Sequence, residues 1–369
     1  ILRMKILVLN PILFTPEKNV IPEVDSIKDT MIYTMCMGFK EAGHEVTLAA
    51  IADYKPRGNE KNDFEILYFK NNGNREMAAV LPFSWSMRNY IRKNKDRFDL
   101  IVCSEVFGFH TLFAAMAAPE KTLAWQELSV LQKKFKRLPA KFWHHIIVPL
   151  FMKNVLVVPR STLARAFIRK YMPRVTEEVV EHGMNLDKFV AGLPKKKQFI
   201  VVSQLIPRKN IASIIDKFSR FCRKYSMDYK LLICGRGAER ENLERQIKEL
   251  GMENNIEMLG FRSHKEIGVM MAESQAMLID TFQDANMITI PEAVVAGTPV
   301  ITNRVPTTDL IDGHGTGIRK DGWNEDDLWE VATHTSYHEN CMKMRQRLSN
   351  INQAKALVRL FLENPYPKK

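Results

Sequence analysis

Residues 284–300 read Asp284-Ala-Asn-Met-Ile-Thr-Ile-Pro-Glu292-Ala-Val-Val-Ala-Gly297-Thr298-Pro299-Val300, and they follow the apolar run Ala276–Asp280. The apolar run predicts a buried strand, and Pro291 suits the first turn of a helix. Val300 lies in a second apolar run. A strand, a helix and a strand in this order form the repeating unit of a parallel sheet. The stretch therefore predicts a Rossmann-like α/β domain around it.

The same alternation extends over the whole chain in two sets. Gly192-Leu-Pro-Lys-Lys-Lys197 lies between the sets and has the composition of a linker. We therefore predict two Rossmann-like domains with parallel sheets facing a central cleft, at 1–192 and 193–348. A last helix at 349–369 is expected to pack back on the first domain. The predicted strands are 5–10, 45–51, 64–69, 98–103, 121–125, 154–158, 178–181, 199–203, 229–234, 255–259, 276–280 and 298–302.

Charge is unevenly distributed along the 369 residues, whose formal net charge is +12. The segment 128–176 contains no acidic residue, and the rest of the chain is nearly balanced. A localised basic face predicts an anionic partner, which is a phosphate, a membrane surface or a nucleic acid. The cations of this segment are Lys133, Lys134, Lys136, Arg137, Lys141, Lys153, Arg160, Arg165, Arg169, Lys170 and Arg174.

The chain contains no apolar run of the roughly 20 residues that a membrane-spanning helix needs. Lys5–Asn10 predicts a first buried strand rather than the apolar part of a secretory signal. The five cysteines are scattered without metal-ligand spacing. Unpaired thiols and no export signal favour the cytoplasm.

Two segments of the second half favour phosphate binding. Arg208 and Lys209 follow a strand and precede a helix, where the helix dipole disfavours cations, so their position suggests a functional role. Helix-start N–H groups near Glu292 could hold a diphosphate, and Glu292 could accept hydrogen bonds from a ribose. Each segment taken alone also has a simpler explanation. Arg208 and Lys209 would be a solvated pair, and Asp284 and Glu292 would be acids that complement the helix dipole.

Two glycine turns lie between these segments. Gly235-Arg236-Gly237 follows one apolar run, and Gly260-Phe261-Arg262 ends the next. Glycines at such turns let the backbone approach a nucleobase closely, although a lone Gly-x-Gly is usually only a tight turn.

In this order the four segments resemble the retaining glycosyltransferase family 4, which has the GT-B fold. The resemblance covers 199–303 well and the first half loosely, at Ala42–Val46 and Glu181–Phe189. It implies a metal-independent glycosyltransferase without a cofactor. The enzyme would move a sugar from a nucleotide diphosphate to a glycan or lipid-linked acceptor in cell-surface polysaccharide synthesis. The N-terminal domain would bind the acceptor, and the C-terminal domain the nucleotide sugar.

The resemblance also implies roles for individual residues. Arg208 and Lys209 would hold the departing diphosphate, Glu292 the ribose, and Asp284 the hydroxyls of the donor sugar. The other implied donor-binding residues are Asn286, Met287, Ile288, Thr289, Gly235, Gly260, Phe261 and Arg262. The sequence departs from the family pattern at five places. Asn10-Pro11 bears on the shape of the acceptor loop, and Gln204 replaces a frequent arginine, which leaves Arg208 to supply the second cation. Asp284, Ala285 and Met287 bear on the identity of the donor sugar.

The family often has a histidine where this chain has Glu127 after a strand, so Glu127 is the predicted catalytic carboxylate, with Glu105 or His110 as alternatives. No residue pattern predicts a metal site. A sugar-nucleotide epimerase of the same fold is the nearest alternative. A dinucleotide oxidoreductase is disfavoured because Asn10-Pro11 replaces a glycine-rich turn. Nucleic-acid binding would account for the basic segment only.

The segment 133–151 continues from its cations into Phe142, Trp143, Ile146 and Phe151. Cations followed by aromatic and aliphatic side chains are typical of a segment that docks peripherally on an anionic membrane surface. Burial of Phe142, Ile146 and Phe151 in the core of the domain is an equally supported interpretation of the same periodicity.

Overall fold

The computed structural model describes residues 3–13, 24–58, 60–73, 81–129, 141–284, 287–306 and 308–367. The chain divides into two compact units, Ile1–Gly183 with Asn350–Lys369, and Met184–Ser349. The segment from Met184 to the predicted linker lies in the second unit, because Met184 N donates to Leu348 O at 2.7 Å. Arg345 also donates to the carbonyls of Leu186 and Phe189.

The first unit contains a parallel sheet of six strands in the order β3-β2-β1-β4-β5-β6. Apolar runs form its strands because both faces of a parallel sheet are covered by helices. The central strand β1 is buried along all but its first residue. The strands are β1 Lys5–Leu9, β2 Glu45–Ile51, β3 Glu65–Phe69, β4 Leu100–Ser104, β5 Thr122–Gln126 and β6 Leu156–Pro159.

Helices cover this sheet, and the last helix of the chain packs on the first. A Cβ added to Gly38 would lie 2.2 Å from the carbonyl oxygen of Asn350, so the two helices approach too closely there for any larger residue. The helices of the unit are α1 Met31–Glu41, α2 Trp85–Asn94, α3 Phe109–Ala117, the π-helix Trp143–Met152, α4 Thr162–Ile168 and α11 Asn350–Glu363.

The second unit repeats the architecture with the strand order β12-β11-β10-β7-β8-β9. Its strands are β7 Gln198–Val202, β8 Lys230–Cys234, β9 Ile256–Gly260, β10 Ala276–Ile279, β11 Val300–Thr302 and β12 Gly317–Arg319. Its helices are α5 Ile211–Lys224, α6 Arg240–Glu249, α7 His264–Glu273, α8 Thr289–Val295, α9 Glu325–Thr333 and α10 Ser336–Arg347. Two six-stranded parallel sheets confirm the predicted α/β class.

One predicted strand is wrong. Residues 178–181 form no strand; Val180 N makes a single hydrogen bond to Pro159 O at 2.9 Å, and Val175 instead bridges Val157 of the edge strand β6. The helices α3 and α4 and the short strand β12 were not predicted. No helix of the described ranges has the length and apolar character needed to cross a membrane.

Candidate functional site

The strand order places a crevice beside β7 and β10 of the second unit. From β7 the chain continues to β8 on one side, and from β10 it continues to β11 on the other. Ligands of open α/β sheets bind at such a switch point, outside the carboxyl ends of the strands. The segments that leave these two ends are 203–210 and 280–284, and both contain predicted site residues.

Arg208 and Lys209 lie in a 3-10 turn, Pro207–Lys209, immediately before α5. Asn210 links the turn to the helix in the left-handed conformation with φ 47°, which asparagine adopts more readily than most residues. The turn is tied to the segment after β10, because Phe282 N and Thr281 Oγ1 both donate to Arg208 O, at 2.8 and 2.9 Å. The backbone carrying the two cations is therefore fixed against the neighbouring strand end.

Asp284 joins the two cations. Its Oδ2 forms an ion pair with Lys209 Nζ and lies 3.4 Å from Arg208 Nη1. The side chains of Lys209 and Asp284 are only 12% and 17% exposed. Three residues predicted from separate segments thus form one half-buried charged cluster at the switch point.

A second ion pair lies in the same region and was not predicted. Lys217 Nζ donates to Asp280 Oδ2 at 2.6 Å, and Ser213 Oγ donates to the same oxygen at 2.7 Å. The Lys217 ammonium also lies 4.0 Å from the centre of the Trp323 ring. Because Asp280 already accepts these hydrogen bonds, we interpret the Lys217–Asp280 pair as part of the structure of the unit rather than as a ligand-binding group. A lysine on the otherwise apolar face of α5 was the available sequence signal.

The glycine turn after β8 packs directly on the 203–205 segment. A Cβ on Gly235 would lie 1.8 Å from Ser203 O, and one on Gly237 would lie 2.1 Å from Leu205 O. Leu205 N donates to Arg236 O at 2.9 Å. The turn therefore supports the chain that leads to the cation pair. Glycine is required at positions 235 and 237 because any side chain there would collide with that chain.

The predicted base site lies next to this turn. Gly235 N donates to Gly260 O at 2.8 Å, and Gly260 has φ 70°. The Phe261 ring is 63% exposed, and the Arg236 guanidinium lies 5.0 Å from its centre. An exposed aromatic ring beside a planar cation offers a stacking surface to a flat ligand. Arg236 was not predicted as a site residue.

Glu292 lies in the first turn of α8, and burial raises the pKa of its carboxyl to about 7. Among the described residues, no hydrogen bond or ion pair reaches this carboxyl. In the same turn the Thr289 hydroxyl is buried, also without a partner in the described part of the chain. Met287 lies beside Lys209 in a small crevice, Ile288 is exposed, and Asn286 lies outside the described residues.

The first unit has its own charged cluster at the ends of β4, β5 and β6. The Glu105 carboxylate accepts hydrogen bonds from the backbone N–H groups of Glu127, at 2.8 Å, and Leu128. Glu127 in turn forms an ion pair with Arg160. The Arg160 side chain is 9% exposed and lies 3.6 Å from the centre of the Trp125 ring.

The environment of this cluster distinguishes the three predicted catalytic candidates. Glu105 has the left-handed φ 68°, and burial, opposed by Arg160, raises its pKa to about 7. His110 is buried with Nε2 2.5 Å from Ser104 O, and burial lowers its pKa to about 4. Glu127 is the most accessible of the three. His182 also belongs to the cluster, with Nε2 3.9 Å from Glu127.

A third feature of the first unit is an apolar helix face. The π-helix buries Trp143, His144, Val148 and Met152, and on its opposite face Phe142, Ile146, Leu150 and Phe151 are 53, 44, 67 and 45% exposed. The interpretation of Phe142, Ile146 and Phe151 as core residues is therefore wrong. Lys133, Lys134, Lys136 and Arg137 lie outside the described residues.

No group of three His, Cys, Asp or Glu side chains in the described ranges has the geometry of a metal site. The five cysteines are buried and unpaired.

Comparison with known proteins finds a family match for the second unit. The family described as "Glycosyl transferases group 1" matches residues 184–353. The 2-deoxystreptamine N-acetyl-D-glucosaminyltransferase of Niallia circulans is 26% identical over 150 residues, which are 39% of this chain and 38% of that protein. One component of human phosphatidylinositol N-acetylglucosaminyltransferase is 28% identical over 106 residues, 29% of this chain and 22% of that protein. The matched segments thus span well under half the length of these curated relatives.

Solved structures match the whole chain in fold. Anabaena HepE in complex with UDP has a TM-score of 0.68 and 16% identity, and the match covers 98% of this chain and all of that one. The lipopolysaccharide outer core galactosyltransferase WaaB has a TM-score of 0.65 and 14% identity over 98% of this chain and 99% of that one. Residues 184–353 therefore match the glycosyl transferases group 1 family, and the chain has the GT-B fold of two Rossmann-like units.

Proposed function

We propose that the chain is a retaining, metal-independent glycosyltransferase that takes its sugar from a nucleoside diphosphate sugar. The observation that carries the proposal is the half-buried cluster of Arg208, Lys209 and Asp284 at the switch point of the family-matched unit. Two cations on a fixed turn can neutralise the charge that develops on a departing diphosphate, which is the largest electrostatic demand of this reaction. They would supply this stabilisation in place of a divalent metal.

The neighbouring residues complete a donor site of the right chemistry. The stacking surface of Phe261 and Arg236 suits a nucleobase. The Glu292 carboxyl, without a partner in the described residues, would accept hydrogen bonds from the ribose. Asp284 would turn to the donor sugar. Met287, Ile288 and Thr289 would line the sugar side of the site.

The first unit would bind the acceptor, with Glu127 as the carboxylate nearest to its nucleophilic hydroxyl. Arg160 holds Glu127 in place, and Glu105 fixes the backbone on which Glu127 lies. The names of WaaB, a lipopolysaccharide galactosyltransferase, and of the human phosphatidylinositol N-acetylglucosaminyltransferase component favour a glycan or lipid-linked acceptor, as in cell-surface polysaccharide synthesis.

Nucleotide binding tests the donor site directly. Thermal shift in EDTA should detect UDP, ADP or GDP, since a ligand at 100 times its Kd adds ~2.7 kcal/mol of stability. UDP-N-acetylglucosamine belongs in the panel because two relatives are named for this sugar. Glu292→Ala should weaken the bound nucleotide by ~1.5–3 kcal/mol, the usual loss for hydrogen bonds to a charged group. Binding that requires magnesium, or is unchanged in Glu292→Ala, contradicts the proposal.

Transfer itself separates this proposal from its nearest alternative. A glycosyltransferase consumes the nucleotide sugar only with an acceptor, and NMR of the product should show the anomeric configuration of the donor. A sugar-nucleotide epimerase would convert the nucleotide sugar with no acceptor present. Conversion without acceptor, or an inverted product, would replace the assignment.

The exposed face of the π-helix supports a membrane partner. Phe142, Ile146, Leu150 and Phe151 form an apolar face, with Lys141 and Lys153 at its two ends and no acidic residue between 128 and 176. Apolar side chains of this kind enter the headgroup layer, and each cation near an anionic surface contributes ~1 kcal/mol. We therefore propose that the enzyme binds peripherally to an anionic membrane surface, where a lipid-linked acceptor would be presented.

Vesicle co-sedimentation tests this partner. The wild type should pellet with vesicles containing anionic lipid, should stay in the supernatant with neutral vesicles, and should be released by salt. The triple variant Phe142→Ser, Ile146→Ser, Leu150→Ser should lose pelleting and keep nucleotide binding. Met227→Ser with Leu362→Ser, two comparably exposed apolar residues elsewhere, is the matched control and should pellet normally. Pelleting of the triple variant equal to that of the wild type would exclude this membrane role. Self-association of the wild type without vesicles that the triple variant loses would assign the apolar face to a second copy of the chain instead.

A further inference from the structure

The two cations of the donor site are already occupied by a carboxylate of the protein itself. Lys209 and Arg208 both contact Oδ2 of Asp284, and Arg208 Nη1 also donates to Gln283 O at 2.9 Å. A diphosphate needs the same two donors. Both groups are anions, so a bound diphosphate and the Asp284 carboxylate compete for the two cations.

The neighbouring pair shows that the Asp284 contacts are of a different kind. Asp280 is buried and receives three donors, from Lys217, Ser213 and Asn210, so its position is over-determined. Asp284 receives donors only from the two cations in the described part of the chain, at a more exposed position. The backbone of Arg208 is tied to Thr281 and Phe282 by the hydrogen bonds to Arg208 O, so rotation of the Asp284 side chain is enough to free the two cations.

We infer that Asp284 is an internal competitor of the diphosphate and that it makes the site select nucleotide sugars over free nucleoside diphosphates. The inference rests on the donor site proposed above. A nucleoside diphosphate must displace Asp284 and leaves the carboxylate with no new partner. A nucleotide sugar displaces it as well, but its sugar hydroxyls can donate to the freed carboxylate. When a ligand binds only the minor state in which Asp284 is displaced, its apparent affinity falls in proportion to the fraction of protein in that state. Only the nucleotide sugar regains this lost affinity, through its hydrogen bonds to Asp284.

The consequence for turnover is product release. After transfer the sugar is gone, the freed carboxylate has lost its hydroxyl donors, and it returns to Lys209 and Arg208. Asp284 would thus favour departure of the nucleoside diphosphate. The same residue would act in donor recognition and in release of the leaving group.

Calorimetric titration of Asp284→Asn tests the inference with UDP, ADP and GDP as probes, alongside the matching nucleotide sugars. Asparagine keeps the shape but removes the competing charge. The nucleoside diphosphate should bind about three- to tenfold more tightly, where tenfold corresponds to ~1.4 kcal/mol. The nucleotide sugar should gain less or lose affinity, and product inhibition of transfer should become stronger.

Three further variants make the outcome decisive. Asp228→Asn removes one charge from an exposed pair with Lys197, before the start of β7, and should change neither affinity. Lys209→Gln should weaken all nucleotides, and adding Asp284→Asn to it should then give a smaller gain than in the wild type. Weaker nucleoside diphosphate binding in Asp284→Asn overturns the competitor role while leaving the donor site intact. Unchanged binding in Lys209→Gln instead overturns the donor site itself.

Discussion

The two units have the same strand order but place their charged clusters at different strands. In the second unit the cluster follows β7 and β10, the two strands of the switch point, and combines two cations with one carboxylate. In the first unit the cluster follows β4, β5 and β6 and combines two carboxylates with Arg160. The same topology thus presents a cationic site in one unit and a carboxylate-rich site in the other. Function in this fold is set by the residues at the strand ends.

The two clusters are also supported differently. In the second unit the chain leading to the cations rests on glycines, since Gly235 and Gly237 allow backbone contact with Ser203 and Leu205. In the first unit a buried carboxylate does this, because Glu105 accepts the N–H groups of Glu127 and Leu128. One support depends on the absence of side chains at two glycines, and the other on the acceptor oxygens of a buried carboxyl group. The two should therefore respond to different perturbations.

Removing the cations of the second unit should have the largest effect. Replacing Arg208 and Lys209 together by alanine should lower turnover at saturating donor by ~100-fold or more, by analogy with the loss of one preorganised donor in other enzymes. Arg220→Ala with Lys224→Ala is the matched control, because both are paired cations of the same unit on α5. Near-normal turnover in the first variant would make Arg208 and Lys209 ordinary surface charge and would remove the contrast between the units.

Most of this fold could be predicted because parallel strands are buried on both faces. Their apolar runs are nearly continuous, and each observed strand except β12 begins within two residues of a predicted one. The β12 segment was missed because it has only three residues and begins with Gly317. Helix α3 was missed because Phe109–Ala117 is apolar except for His110 and Thr111, which are buried, so the sequence shows no polar face at helical spacing.

The candidate site could be predicted where its residues lie in local motifs, and not where they meet through the fold. Arg208, Lys209 and Asp284 lie in stretches with an unusual charge placement, but nothing in the sequence pairs Asp284 with the cations. Arg160 comes directly after β6, yet its contact with Glu127 depends on strands β5 and β6 being neighbours. Which charged residues pair with each other depends on the tertiary fold, and the spacing of residues along the sequence does not predict it.

A stability test sharpens the comparison of the two supports. Gly237→Ala should destabilise the second unit by ~1–3 kcal/mol, the usual cost of an overpacked contact, because its Cβ would meet Leu205 O. Gly268→Ala is the control, since a Cβ there meets nothing within 4 Å and alanine in a helix gains ~0.5–1 kcal/mol. Thermal melting with and without bound nucleotide measures both. Equal melting of the two variants would mean that the turn does not need its glycine.

The smallest effect concerns the two carboxyls with a pKa of about 7, Glu105 and Glu292. Burial is the main cause in both, and it raises the folded-state pKa above the unfolded value of 4.5. The folded protein therefore holds protons that the unfolded chain has lost between pH 4.5 and 7. Each carboxyl thus contributes stability at low pH that is lost as the pH rises through this window. In Glu105→Gln and in Glu292→Gln, the free energy of unfolding should therefore fall less steeply between pH 4.5 and 7 than in the wild type, as measured by denaturant titration.

Ligand affinity separates the two carboxyls. A ribose that donates to Glu292 favours its charged form, so nucleoside diphosphate affinity should rise by up to about tenfold between pH 6 and 8 as the binding-competent carboxylate becomes populated. Glu292→Gln should remove this rise, whereas Glu105→Gln, in the first unit, should keep it. The second ionisation of the phosphate contributes equally to all three proteins and cancels in their ratios. Titration calorimetry at pH 6, 7 and 8 gives these ratios. A pH profile of Glu292→Gln that parallels the wild type would show that the ribose does not contact this carboxyl, whatever its pKa in the free protein.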